Sequence, residues 1–482
     1  MYLHIFSLFR KFSRPFGNAA YERVKLARVL SVQHRCKAVA AYETNGKKES
    51  LGEADPAIAT LDLNFTDHQN AFKTKTTWEL CRALLVLRLC SFDRLVDNSL
   101  QLFRLGQKVL GERPFRALVK PIFYDQFVAG DDHRSIGQTV SIMQKAGLTP
   151  LLAVCIEDGP TGEVGYDANL TTILDCIQMA SELSKGRPMI QLKVTALMPA
   201  ELLITLSKMY TYGGISIEQV AEAMYTPSLL YEVEGLPEAE IRQWCRGLER
   251  LREAGEFAQR KGVYILVDAE YTHMNPGISL AALAMMLNFN KDIPLIWNTY
   301  QCYLKEAYNA ITADYATIMD KGLCFGAKIV RGAYINCEEE YAKRQGVPNP
   351  VCDSYKDTSS SYNRVVETML HNISHCGEKC NIIVASHNEE SVRKAIQGME
   401  KLGIARDSGL VYFGQLLGMC DQVSYPLGQA GYQIYKSLPY GTVEETLPYL
   451  SRRAQENKSV LMGARKERSL LQRELRRRFL RF

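Results

Sequence analysis

Eight short apolar or β-branched runs, separated by longer amphipathic stretches, predict an α/β fold: a distorted, TIM-like (β/α)8 barrel with an N-terminal helical segment. The runs are continuous rather than alternating, the pattern of strands covered on both faces and hence of a parallel sheet wrapped by helices. Their number, spread over roughly 300 residues, matches one closed barrel. A doubly wound sheet is the alternative, weakened because no run is followed by GxGxxG or a P-loop.

The chain has 482 residues, 46% hydrophobic and 23% charged. That is enough to bury a large core and excludes global disorder. Residues 1–40 carry eight Lys/Arg against the single acid Glu22, and the opening MYLHIFSLFRKFSRPF mixes Phe, Leu and Ile with Arg, Lys and Ser. This reads as a mitochondrial transit peptide, with a plain unstructured end as the alternative. Residues 41–60 are polar and breaker-rich, a linker. Residues 61–130 form the helical segment, with Leu80, Leu84, Leu87, Leu95, Leu102 and Leu105 at helical spacing. Its most apolar stretch, Leu80–Cys90, is short and carries Arg82 and Arg88, so it reads as a buried helix rather than a membrane span.

The barrel takes residues 131–464. Its runs are Leu151–Asp158, Ile190–Leu197, Val263–Glu270, Ile293–Tyr300, Cys324–Gly332, Asn381–Asn388, Gly409–Gly418 and Tyr432–Gly441. Residues 465–482 place eight Lys/Arg beside Leu470, Leu471, Leu475, Phe479 and Phe482, a basic amphipathic helix. It reads either as a membrane-surface element or as a helix packed on the barrel with a solvated basic face.

Net charge is +5, yet the two ends alone carry +7 and +6, so the body is acidic. That distribution argues against a nucleic-acid binder. Thirteen Cys at irregular spacing argue against a disulfide framework and fit a reducing compartment. His371, His375, Cys376 and Cys380 are the densest ligand-like group, but Gly377–Lys379 interrupts them and no second ligand pair follows, so no metal is expected.

Polar residues recur where runs end: Lys193; Asp268 and Glu270; Asn298 and Gln301; Lys328 and Arg331; Ser386, His387 and Asn388; Gln415; Ser437. In a barrel these converge on one mouth, where function resides. A helix from Leu447 to Asn457, entered after Thr446, puts Tyr449, Arg452, Arg453 and Glu456 on one face. Facing the mouth, its arginines are a fork for a carboxylate or phosphate, with Lys193 a third cation. Facing solvent, they are ion-paired to Glu456.

The segments QLKVTAL, LVDAEYTHMNP, WNTYQCYLK, KIVRGAY, VASHN, FGQLLGMCDQ and PYGTVEETLPYLSRRAQEN occur in that order over about residues 120–470. Together they resemble the proline dehydrogenase family, FAD enzymes on a distorted (β/α)8 barrel that oxidise a cyclic imino acid and pass electrons to membrane quinone. The resemblance implies that Lys193, Arg452 and Arg453 meet the substrate carboxylate, with Tyr449 and Leu416 near the ring and Asp268 a polar wall. Lys193, Asp268, Arg452 and Arg453 would be the catalytic set. For FAD it implies Val330, Arg331, Gly332 and Ala333, then Ser386, His387 and Asn388, with Gln415 and Glu456. The family's flavin N5 partner, a Gln in a QAY segment, falls on Asn298 in this reading, with Gln301 nearby, and Lys328 stands where the family has Arg.

Ser437 replaces a family Tyr that closes over carbons 3 and 4 of the ring. A phenol there would collide with a 4-hydroxyl, whereas a serine leaves room. The expected reaction is therefore oxidation of trans-4-hydroxy-L-proline to 1-pyrroline-3-hydroxy-5-carboxylate. The alternative is L-proline going to 1-pyrroline-5-carboxylate. The expected location is the mitochondrial matrix, in peripheral contact with the inner membrane. A catalytically dead barrel serving as a binding protein is the rival from another class, opposed by the intact polar set.

Overall fold

Each of the eight predicted runs overlaps a strand in the computed structural model, which describes residues 61–156, 162–456 and 464–480. The expected transit peptide and linker, and the side chain of Glu456, lie outside the described residues. The strands are β1 (Leu148–Val154), β2 (Met189–Leu192), β3 (Tyr264–Val267), β4 (Ile296–Gln301), β5 (Phe325–Val330), β6 (Cys380–Ala385), β7 (Val411–Leu416) and β8 (Ile434–Tyr440). All neighbours are parallel, and the ring closes in sequence order. The last seam is the longest, running from Leu148 opposite Ile434 to Val154 opposite Tyr440. Strand bounds differ from the runs most at β2, where Val194–Ala196 is a 3-10 turn. Val194 and Leu197 are buried there, so apolar composition continues past the strand.

Helices α1 (His68–Phe72), α2 (Thr77–Leu89), α3 (Ser99–Leu110) and α4 (Glu112–Val119) precede the barrel. Then come α5 (His133–Lys145), α6 (Glu163–Leu183), α7 (Glu238–Lys261), α8 (Asn275–Phe289), α9 (Ala307–Met319), α10 (Tyr355–Cys376), α11 (Glu389–Lys401), α12 (Asp421–Gln429), α13 (Val443–Glu456) and α14 (Arg465–Phe479). The main core lies between strands and helices, and a second fills the ring with Leu151, Met189, Tyr264, Trp297, Tyr412 and Tyr435. Trp297 fits because β5 offers Gly326: a Cβ there would stand 2.6 Å from the indole. The filled floor leaves only the upper ends of the strands for chemistry.

The helical segment departs from its leucine pattern. Leu80 and Leu87 are buried, but Leu85, Leu95, Leu102 and Leu105 are exposed. The α2 helix packs one face on the body through a Thr76–Glu79 capping box and buried Leu80, Ala83, Val86 and Leu87, whereas α3 buries no residue. Helical spacing reports a face but not what covers it.

In α14 the expected apolar face is covered within the chain. Leu470, Leu471 and Leu475 pack with Phe72, Leu80 and Leu87 of α1 and α2, while Phe479 stays exposed. Charges secure the same contact. Asp421 at the start of α12 takes Lys75 Nζ at 2.7 Å and Lys436 Nζ of β8 at 3.0 Å. Glu467 of α14 accepts the backbone N–H groups of Cys420 and Asp421 at 3.0 and 2.9 Å. Burial alone would raise the Asp421 carboxyl, but Lys75 and Lys436 outweigh it and hold it at about 2. Burial, reinforced by Asp421, pushes Glu467 up to about 7.

Asp421 therefore contributes stability that is present above its ordinary value of 3.8 and lost as pH falls toward 2. Glu467 works oppositely, and its contribution fades as pH rises from 4.5 through about 7. Asp421→Asn, which removes the counter-charge of buried Lys436 and half-buried Lys75, should destabilise by about 3–5 kcal/mol. Denaturant unfolding at pH 7 measures it, and the acid-limb loss between pH 4 and 2 should shrink in that variant.

Candidate active site

Side chains alternate along each strand, so inward positions are set by register. On β2 and its extension, Met189 fills the ring, and Gln191 and Lys193 follow at two-residue steps toward the mouth. On β3 the same step carries Tyr264 and Leu266 to Asp268 and Glu270. Asp268 is ion-paired to buried Lys328 of β5, which neutralises a lysine in the barrel wall. Glu270 accepts a hydrogen bond from the Thr195 hydroxyl at 2.6 Å. Burial raises its carboxyl, partly offset by Thr195 and by the charge of Lys193.

Lys193 follows β2, and Arg453 lies on α13, which follows β8. Burial pushes the Cys155 thiol up to about 12, and the charges of Lys193 and Arg453 pull it the other way. Arg453 lies over the Tyr449 ring, with the guanidinium carbon 5.3 Å from the ring centre. With Leu416 of β7 and Ser437 and Pro439 of β8 they line a cavity of about 50 Å3, almost wholly apolar otherwise. The Ser437 hydroxyl donates to Gln191 Oε1 at 3.0 Å. Arg452, on the same helix, is exposed and does not line the cavity. The helix starts at Val443, earlier than expected, because Thr442 and Glu445 cap it; Pro448 lies inside rather than opening it.

Two sequence expectations need correction. Asn298 faces outward, donating to Ser279 Oγ of α8 at 3.1 Å. Gln301, three residues on, ends β4 in the mouth, where it accepts from Asn275 at 2.6 Å and donates to the Glu270 carbonyl at 3.0 Å. Gln301-Cys302-Tyr303 also carries the Q-x-Y pattern, and of the two amides Gln301 is the one that reaches the mouth. Gln415 likewise points out of the ring. Its amide is spent on the Ser386 carbonyl at 3.2 Å and on the Ser424 hydroxyl of α12.

The remaining residues form a polar rim. Arg331 donates to Ser359 at 2.6 Å and lies 4.6 Å from the Tyr355 ring centre, with Ser391 of α11 at 3.4 Å. Asn388 caps α11 by accepting from Ser391 N–H at 2.9 Å, and Ser386 accepts the Asn388 N–H at 3.0 Å. Val330, Gly332 and Ala333 join β5 to this rim. His387 is half-buried, and its Nε2 accepts the Leu416 N–H at 3.1 Å. Burial and the Lys436 charge push it down to about 3, so it stays neutral and fixes the β6–β7 loops. Sequence reasoning missed Gln191, Thr195 and Cys155. A polar residue two places before Lys193 on an inward strand face was the available signal for Gln191.

The arrangement offers cations for an anionic group, an apolar wall for a ring, and an arginine at a helix N-terminus, the usual setting for a phosphate. Comparison with known proteins identifies the family. The proline dehydrogenase family model matches residues 141–466. Hydroxyproline dehydrogenase of Xenopus laevis is 45% identical over 436 residues, covering 88% of this chain and 92% of that protein. Its Homo sapiens counterpart is 43% identical over 427 residues, covering 85% and 92%. Homo sapiens proline dehydrogenase 1, mitochondrial, is 33% identical over 546 residues, covering 88% and 90%. The solved proline utilization A of Bdellovibrio bacteriovorus inactivated by N-propargylglycine superposes with a TM-score of 0.57 at 16% identity, covering 91% of this chain. The chain spans 42% of that longer protein, and this likeness speaks to the fold alone. With a family model matched across the barrel and relatives this similar over most of their length, the chain belongs to the proline dehydrogenase family.

Proposed function

We propose that this protein oxidises trans-4-hydroxy-L-proline to 1-pyrroline-3-hydroxy-5-carboxylate, with FAD as its cofactor and a quinone as the electron acceptor. The observation that carries the substrate choice is Ser437 on the cavity wall, beside Tyr449 and Arg453. A small hydroxyl there leaves room at ring carbon 4 and can hydrogen-bond to it. The most similar relatives named above bear the hydroxyproline name.

The residues present fit a flavin dinucleotide. Gln301 supplies an amide at the end of β4, Lys328 a cation inside the mouth, and Arg331 with Ser386, Asn388 and the N-terminus of α11 a setting for a pyrophosphate. When bound, FAD supplies the two-electron acceptor. The chain does the rest. Lys193 and Arg453 hold the carboxylate, with Arg452 at the rim adding charge. Leu416, Pro439 and Tyr449 exclude water from the ring. Asp268 keeps Lys328 oriented and neutralises it until an anionic group needs it. Fixing C5 at the acceptor is the main catalytic contribution. The ring loses a hydride from C5 and a proton from nitrogen, and the amine is deprotonated before the hydride leaves.

Arg453→Met should raise KM for hydroxyproline by about 100-fold while bound flavin stays at the wild-type ratio, because one partner of a charged pair is removed. Steady-state kinetics with flavin absorbance tests this, and an unchanged KM would remove the clamp. Ser437→Tyr should lower the ratio of kcat/KM for hydroxyproline over proline by about 100-fold. If wild type and variant share one ratio, the substrate reading passes to L-proline.

We further propose that the protein acts in the mitochondrial matrix in peripheral contact with the quinone-bearing inner membrane. No helix among the described residues is long and apolar enough to cross a membrane. The leucines of α14 are occupied, so support comes from a groove between α2 and α14. It brings Arg88, Arg465 and Arg468 together over Leu84, Leu85 and Leu475. Burial lowers Arg468, and the like charges of Arg88 and Arg465 lower it further, a repulsion that anionic headgroups relieve. Pelleting with anionic vesicles should fall several-fold in the triple Arg→Gln variant and on raising salt, whereas equal pelleting would set the membrane contact aside.

A further inference from the structure

We propose that Gln191 sets the hydrogen-bond polarity of the site that reads ring carbon 4, by fixing the Ser437 hydroxyl as an acceptor for the substrate hydroxyl. This rests on the hydroxyproline reading above and adds a second specificity-determining residue to it.

Gln191 and Ser437 lie on β2 and β8, which do not pair with each other; both pair with β1, where Leu151 stands opposite Ser437 on one side and Met189 on the other. Two residues past Met189, Gln191 reaches across the ring above Leu151, and the Ser437 hydroxyl donates to its Oε1 at 3.0 Å. Below the pair the ring is closed by the apolar floor of Leu151, Met189 and Tyr435. Above it, Ser437 forms the wall of the cavity that also holds Tyr449 and Arg453. Lys193, which meets the carboxylate in this reading, follows Gln191 two residues on, just past the end of β2.

A serine hydroxyl has one proton and two lone pairs. With the proton committed to Gln191, Ser437 faces the cavity as an acceptor only. It therefore suits a ligand group that donates, as an alcohol does, and not one that only accepts. The same bond keeps Ser437 satisfied when no hydroxyl is present, so proline can enter without leaving an orphaned polar group. Gln191 acts through Ser437 and is a positioning residue.

The test uses the flavin-loaded enzyme and three substrates: trans-4-hydroxy-L-proline, L-proline and trans-4-fluoro-L-proline. The fluoro compound has a similar shape and accepts weakly but cannot donate. Wild type should prefer the hydroxy over the fluoro substrate in kcat/KM by about tenfold, the scale of one hydrogen bond in a desolvated site. Gln191→Met, which keeps length and removes the acceptor, should bring that ratio to within about twofold of one. Gln191→Asn retains the amide but withdraws it by one methylene, and should fall between, which also serves if the Met variant does not fold. Ser437→Ala should lose as much as Gln191→Met, and the double variant no more than either, because both remove one interaction. A hydroxy-to-fluoro ratio unchanged in the Gln191 variants, or losses that add in the double variant, would overturn the inference while leaving the substrate reading standing. A wild type that favours proline over hydroxyproline would overturn both.

Discussion

Everything at the mouth depends on the β1–β8 seam. Seven residue pairs, Leu148 opposite Ile434 through Val154 opposite Tyr440, turn an open sheet into a ring. Closure fixes which way each strand end faces and brings β8 to within a side chain of β2, elements far apart in sequence. Without it, Ser437 and Gln191 could not meet at 3.0 Å. The interior floor of Trp297, Tyr412, Tyr435 and their neighbours then makes the ring rigid. It sets an apolar base under the polar layer, and the low dielectric of that base strengthens each charge above it.

A second constraint holds the loops on top. Asp421 lies between Lys75 and Lys436, and Glu467 accepts the backbone N–H groups that open α12. Lys436 also donates to the carbonyls of Leu416 and Met419, the loop that carries the cavity wall. Gly418 lets that loop approach the N-terminal segment: its φ is +75°, and a Cβ there would stand 2.1 Å from the Gln126 carbonyl oxygen. Segments before and after the barrel are thus tied to one active-site loop by buried charge. Such networks specify an arrangement more than they add stability, since each ion must first be desolvated. This explains why the apolar face of α14 is spent inside the molecule. The leucines that made it resemble a membrane-surface helix are what bring Glu467 to α12.

The eight runs, their order and the mouth residues Lys193, Asp268, Lys328 and Ser437 were legible in the chain because each rests on local information. Continuous apolar runs mark strands buried on both faces, and a polar residue at their end marks the mouth. The errors came where a side chain's direction had to be known. Asn298 and Gln301 differ by three positions, an odd number, so in a strand they face opposite ways. The register that puts Trp297 into the floor sends Asn298 to Ser279 and Gln301 to the mouth. Gln415 and Leu416 divide in the same way, one to α12 and one to the cavity. The leucines of α3 failed for another reason: periodicity gives a helix an apolar face, but only packing decides whether another element covers it.

From the chain alone follow the barrel, the family motifs and the acidic body with basic ends. Those features are written in composition and short-range order, which folding does not alter; the resemblance to the family adds a serine where its members carry a tyrosine. Tertiary structure decided which members of each polar pair face the mouth, that Gln191 holds Ser437, that His387 is neutral beneath Leu416, and that α14 is a clasp. Each of those depends on contacts between residues far apart in sequence and on the dielectric around them. Both are set only when β8 closes on β1 and the end of the chain packs back onto its beginning.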